Sequence, residues 1–156
     1  MRRRRGDGGR GLTLIELLVS IAVLGVLAGV ALPLVQVTVT RTRELELRRA
    51  LRKVREGIDQ FKAEYDKART NARDARADFK KRVSVDRTGY PRSLDELGEA
   101  KILRRIPRDP VSPDGRWITR SFSDNPDSSL SDAKDVYDIR SASKAVALDG
   151  TTYDAW

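Results

Sequence analysis

The chain has 156 residues, no cysteine and no histidine, and 31 Lys and Arg against 23 Asp and Glu, for a formal net charge of +8. Without cysteine there is no disulfide and no thiolate metal site. Without histidine the commonest general base and transition-metal ligand are missing, so an enzyme is not expected. The roughly 116 residues after position 40 suffice for one small domain with its own core, not two.

The chain opens on a basic stub, Arg2 to Arg5 and Arg10, that ends at Gly11. After Leu12 to Glu16 come 24 residues, Leu17 to Thr40, without a single charge. That run reads as a membrane-spanning helix, because the hydrocarbon core of a bilayer asks for about 20 apolar residues. Glu16 stands at its head. An ionised carboxylate inside a span is disfavoured by about 2.5–3.5 kcal/mol on insertion scales, so it needs a partner or a use. The plainer alternative is an acid solvated at the interface. The stub could equally be the n-region of a secretory signal. No Ala-x-Ala-like site follows a short apolar stretch, however, and the run is too long for an h-region. The stub is therefore expected to be lost and the helix kept. The stub carries five Arg and one Asp, which leaves +4 on the remainder and undercuts a nucleic-acid reading of the charge.

Orientation is contested within the sequence. The stub has five basic residues, while the far side has seven within 41–55: Arg41, Arg43, Arg48, Arg49, Arg52, Lys53 and Arg55. That count alone places the C-terminal domain in the cytoplasm, although long domains translocate largely regardless of charge. Interleaved acids at Glu44, Glu46 and Glu56 give this stretch the pattern of a solvated helix face rather than a grip for nucleic acid or anionic lipid.

From Leu47 the apolar residues Leu47, Leu51, Val54, Ile58, Phe61 and Tyr65 recur in steps of 4, 3, 4, 3 and 4. This stripe continues the first helix into an amphipathic half that packs on the rest of the domain. It carries on in small residues at Ala68, Ala72 and Ala75 and then Phe79, with a break expected near Thr70-Asn71. Residues 66–87 read as a helical insertion. Gly89-Tyr90-Pro91 has turn chemistry, and Ser93 with Glu96 forms a capping-box pattern, so a short helix is predicted over Leu94–Ala100. Ile106 to Pro110 is a proline-punctuated loop. Arg116–Phe122 and Asp135–Arg140 alternate apolar and polar residues and are predicted to be antiparallel strands, joined by the polar loop 123–132. A last short strand is predicted over Ala145–Leu148, before Asp149-Gly150.

Gly11, Leu12, Glu16 and Pro33, at these spacings on an apolar helix, resemble the processing and assembly signal of type IV pilins and of the pseudopilins of type II secretion systems. The resemblance implies cleavage after Gly11 by a prepilin peptidase on the cytoplasmic side, with methylation of the new amino terminus at Leu12. Leucine stands where many members have phenylalanine. It further implies that Glu16 sets the register of assembly and that Pro33 kinks the helix. In physical terms, the freed amine of one subunit can meet the Glu16 carboxylate of the next, offsetting a desolvation that neither charge sustains alone.

Tyr90-Pro91 before a short helix, Pro107 to Pro110, Tyr137-Asp138-Ile139-Arg140-Ser141, and Asp149-Gly150 with a final Trp156 resemble the major pseudopilin more narrowly. That implies an α+β fold, with a long N-terminal helix packed on a small domain that holds a short helix and an antiparallel sheet. The implied organisation is a leader over 1–11, a transmembrane and filament-core helix over 12–40, and a periplasmic domain over 41–156. Residues 66–87 depart from the family, which passes almost directly from the long helix to Tyr-Pro. The implied function is a structural subunit of a type II secretion pseudopilus. The implied partners are further copies, other pseudopilins, the peptidase, an inner-membrane platform protein, an assembly ATPase and the bilayer. A type IV pilus pilin or minor pilin is the alternative; absence of the usual C-terminal cysteine pair disfavours a major pilin. The family implies calcium in the C-terminal loop, where Asp149 and Asp154 are the candidates, with Ser141 and Ser143 nearby in sequence. Two carboxylates are few for an ion that takes six to eight oxygens, so a hairpin turn at Asp149-Gly150 is the preferred reading. Trp117 and Trp156 read as packing residues.

Overall fold

The computed structural model describes residues 13–71, 73–125 and 131–156, with the side chains of residues 30–34 outside the description. The described elements are, in order, helix α1 (Leu14–Thr70), helix α2 (Ala77–Lys80), helix α3 (Asp95–Glu99), strand β1 (Trp117–Arg120) and strand β2 (Asp138–Ser141), then a 3₁₀ turn over Tyr153–Ala155. This is the expected α+β architecture of a long N-terminal helix and a small C-terminal domain. The chain divides into two compact units, the first ending at Val39 and the second running from Thr40 to Trp156.

In the second unit the apolar stripe of α1 does what its spacing requires. Leu47, Leu51, Val54, Ile58, Phe61 and Tyr65 are all buried, and they pack with Leu97, Ala100, Leu103, Val136, Ile139 and Tyr153 in one core. Each of the larger side chains contributes roughly 1.5–3 kcal/mol by leaving water. Gly57 sits mid-helix because Leu103 lies against it; a Cβ there would come within 3.1 Å of the Leu103 side chain.

α1 stops at Thr70, where the break was expected. Asn71 turns the chain, its side-chain oxygen accepting from the Arg73 N–H at 3.3 Å while its amide donates to Asp74 at 2.7 Å. The helical insertion expected over 66–87 is not realised beyond that point. Only the single turn of α2 is helical, and Ala72 lies outside the described residues. What holds this segment is packing rather than helix. Phe79 is fully buried with its ring edge-on to Phe61 at 5.0 Å, and the Tyr65 hydroxyl donates to the Ser84 carbonyl at 2.9 Å. Phe79→Ala is expected to cost about 3–5 kcal/mol of unfolding free energy in detergent-held protein. A loss below ~1 kcal/mol by denaturant titration would show that the segment does not close the core.

The short helix forms over Asp95–Glu99, with Leu94 as its N-cap residue, but the capping box does not. No side chain caps α3. Ser93 contributes only its carbonyl, which accepts from the Glu96 N–H at 3.2 Å. Glu96 instead turns inward to two arginines, a stronger claim on a carboxylate than a neutral backbone amide. The buried Asp109 in the proline-punctuated loop is a second hub. Its oxygens accept from the Val111 and Ser112 N–H groups at 2.9 and 3.2 Å, from the Ser141 hydroxyl at 2.6 Å and from the Ala142 N–H at 3.3 Å.

β1 and β2 pair antiparallel, Trp117 opposite Ser141 and Arg120 opposite Asp138. They are shorter than the predicted runs. Two strands alone are marginal in water; here Ile139 enters the core, and Arg55 of α1 grips β2. The Arg55 Nε donates to Asp138 at 2.7 Å, and its Nη2 donates to the carbonyls of Ile139 at 3.1 Å and Trp156 at 2.8 Å. The expected strand at 145–148 is reduced to an isolated bridge between Val146 and Thr152. The loop between them is a hairpin turn, with the Ala147 N–H on the Thr151 carbonyl at 2.7 Å and Gly150 at φ +86°. A three-residue hairpin loop wants glycine in that last position.

Candidate functional site

The candidate site is the start of α1. Thr13 precedes the first helical residue, and its hydroxyl oxygen accepts from the Glu16 N–H at 3.3 Å. This is an N-cap in which Glu16 occupies the third helical position, where the helix dipole favours an anion. The Thr13-Leu14-Ile15-Glu16 spacing is the signature of a capping box ahead of an apolar run, a signal present in the sequence but unused in reading it. One turn on, the Ser20 hydroxyl donates to the Glu16 carbonyl at 2.7 Å. Among the described residues the Glu16 carboxylate itself has no hydrogen bond or ion pair, and the residue is exposed. Gly11 and Leu12 lie outside the described residues. Pro33 lies within α1, and its side chain is outside the description.

The first unit buries none of its described apolar side chains. Leu14, Ile15, Val23, Leu24, Val26 and Leu27 are each more than half exposed. A continuous apolar surface of this kind marks a contact with lipid or with another protein. Among the described residues no helix is long and apolar enough to cross a membrane.

The second unit holds the other candidates. Asp149 sits in the hairpin, where its Oδ1 accepts from the Thr151 N–H at 3.0 Å and hydroxyl at 2.6 Å, and its Oδ2 faces Arg48 at 3.4 Å. The Thr151 hydroxyl first, its N–H next, and Arg48 hold this carboxyl below its ordinary range. Asp154 lies in the 3₁₀ turn, and the Ser141 hydroxyl is given to Asp109. Among the described residues no three acidic side chains gather where they could hold a metal ion. Trp117 and Trp156 both pack against the core, with their indole N–H groups on the Pro107 carbonyl and the Thr151 hydroxyl, each at 2.8 and 2.7 Å respectively.

The structure also sorts the charges of 41–55, which the sequence presented as one solvated face. Glu44 is buried and accepts from the Leu148 N–H at 2.7 Å and the Tyr153 hydroxyl at 3.1 Å. Burial first, and then this contact, push the Tyr153 hydroxyl's pKa upward. Arg55 is spent on β2 and the C-terminus. Arg48 lies over the Trp156 ring at 4.3 Å. Arg41, Arg43, Arg49, Arg52 and Lys53 are exposed and have no ion pair among the described residues.

Against known proteins, residues 9–32 match the family model described as a prokaryotic N-terminal methylation motif. No curated protein and no solved structure matches the chain. Over that N-terminal segment the chain is similar to prepilin-type proteins, which supports a type IV pilin-like family for a chain with this α+β architecture.

Proposed function

We propose that this protein is a structural subunit of a type II secretion pseudopilus. It is inserted by its first helix in a bacterial inner membrane, with the amino terminus in the cytoplasm and residues 41–156 in the periplasm. Leader removal after Gly11 frees an amine at Leu12, which is then methylated. Subunits leave the membrane and stack through their apolar helices, with Glu16 setting the register and Pro33 the curvature. A platform protein and an assembly ATPase drive the stacking, and the growing filament pushes folded cargo across the outer membrane.

The observation that carries this reading is a single acid, without a partner among the described residues, on an apolar helix inside the matched methylation motif. A carboxylate there is stabilised when an opposite charge closes on it in a low dielectric. The stack of helices also accounts for exposed leucines and valines that the first unit does not bury.

Mass spectrometry of membrane-extracted protein tests the first step. The expected mass is that of a chain beginning at N-methylated Leu12. A chain that keeps Met1 and the arginine stub in a host with an active prepilin peptidase overturns the proposal.

A further inference from the structure

We propose that the exposed arginines just past the uncharged run form a collar for anionic phospholipid headgroups at the outer face of the membrane. This rests on the first helix spanning the bilayer. The argument starts from what the fold removes. Of the acids interleaved in 41–53, Glu44 is withdrawn into the domain, where Leu148 and Tyr153 occupy it. The surface of that stretch is left with Arg41, Arg43, Arg49, Arg52 and Lys53 against Glu46, while Arg48 faces Asp149 at 3.4 Å. The mixed face read from the sequence is therefore strongly basic.

Distance decides which of them reach lipid. A hydrocarbon core of about 30 Å uses about 20 residues of helix at 1.5 Å each, so a span starting at Leu17 leaves the core near Gln36. The headgroup layer takes up the next few residues, which brings Arg41 and Arg43 to phosphate depth. Helical side chains slant toward the N-terminus, here back toward the membrane, and arginine reaches further by snorkelling. Arg49 stands about 10 Å beyond, near one Debye length, while Arg52 and Lys53 are largely screened. The ligand chemistry is a phosphodiester anion in a lipid surface, met by guanidinium forks.

The test uses the full chain reconstituted in phosphatidylcholine vesicles with trace spin-labelled phosphatidylglycerol or phosphatidylcholine, alongside the triple variant Arg41→Gln, Arg43→Gln, Arg49→Gln. These positions are exposed, and among the described residues their side chains make no hydrogen bond or ion pair. Resistance to alkaline carbonate first establishes insertion of both proteins. The wild type is expected to associate preferentially with phosphatidylglycerol, by roughly fivefold for each arginine held at headgroup depth. The triple variant and high salt are expected to bring the ratio close to one. Insertion without preference, or a preference the triple variant keeps, overturns the collar alone. Failure to insert overturns the spanning helix and the collar with it. An unselective wild type whose triple variant no longer forms filaments assigns these arginines to a neighbouring subunit instead.

Discussion

Glu16→Ala is expected to leave leader removal at Gly11 intact and to abolish filament formation, and Glu16→Gln is expected to do the same. The pair separates the capping geometry seen at Glu16 from the register role proposed for it. As the third residue of a capped first turn, Glu16 helps the helix begin, through its position against Thr13 and the dipole. That contribution is about 0.3–1 kcal/mol. Glutamine keeps much of the helix-forming preference and the hydrogen-bonding reach of glutamate. As a register charge, by contrast, Glu16 needs its negative sign, because only a charge compensates the ammonium group of a neighbouring subunit in lipid. Electron microscopy of sheared filaments, with mass spectrometry of the cleaved amino terminus, reads both outcomes. Normal filaments from Glu16→Gln with none from Glu16→Ala would assign the residue to capping. Normal filaments from both would remove it from assembly.

The second large effect is expected at Glu96, in a part of the molecule remote in sequence from the motif. Its Oε1 accepts from Arg82 at 2.7 Å, its Oε2 accepts from Arg87 at 2.7 Å and from the Arg92 N–H at 2.7 Å, and the Arg87 and Glu96 side chains are almost fully enclosed. Two guanidinium groups thus share one carboxylate, and the Nε atoms of Arg82 and Arg87 are buried without an acceptor. Removing the acid leaves Arg87 enclosed without a counter-charge, while Arg82 keeps Glu99 at 3.7 Å. Glu96→Ala is expected to cost about 3–5 kcal/mol, a large share of a typical domain's stability. The same contacts set a pH dependence. Burial opposes ionisation of Glu96, yet the Arg92 N–H, Arg87 and Arg82 outweigh it and hold the carboxyl below the ordinary glutamate range. A depressed folded-state pKa means stability that is complete above the unfolded value, about 4.3, and is lost as pH falls through the folded one. Unfolding midpoints of detergent-held protein should drop as pH is lowered from about 4.5. Glu96→Gln should be less stable at neutral pH and flatter on the acid side. An acid limb unchanged in that variant would mean another carboxylate controls it.

Glu16 and Glu96 both stand in capping-box spacing, Thr13 to Glu16 and Ser93 to Glu96, and the two fold differently. At Thr13 the backbone cap forms. At Ser93 it does not, because Arg82 and Arg87 arrive from the loop after α2. No local pattern announces that arrival, since 14 residues separate Arg82 from Glu96. This is why the capping motif was a sound expectation that tertiary contact overrode. The helical insertion failed for the opposite reason. Ala68, Ala75 and Phe79 keep helical spacing, and all three are buried as the stripe requires, but they reach the core from α1, a turn and α2 in succession.

The sequence by itself determined what depends on periodicity and on covalent order: the uncharged run, the glycine, leucine, glutamate and proline offsets, the core stripe from Leu47 to Tyr65, the end of the helix at Thr70 and the Asp149-Gly150 hairpin. Each of these is set within a few residues, by helix pitch or by turn chemistry. Tertiary structure alone decided which charges are structural. Glu44 and Arg55 look in sequence like solvated residues, Asp109 like a loop residue and Glu96 like a helix cap, and each is committed to side chains at least 9 residues away. The cost of burying a charge is met only by groups the fold brings from elsewhere, so a charged residue's role is not written in its neighbours.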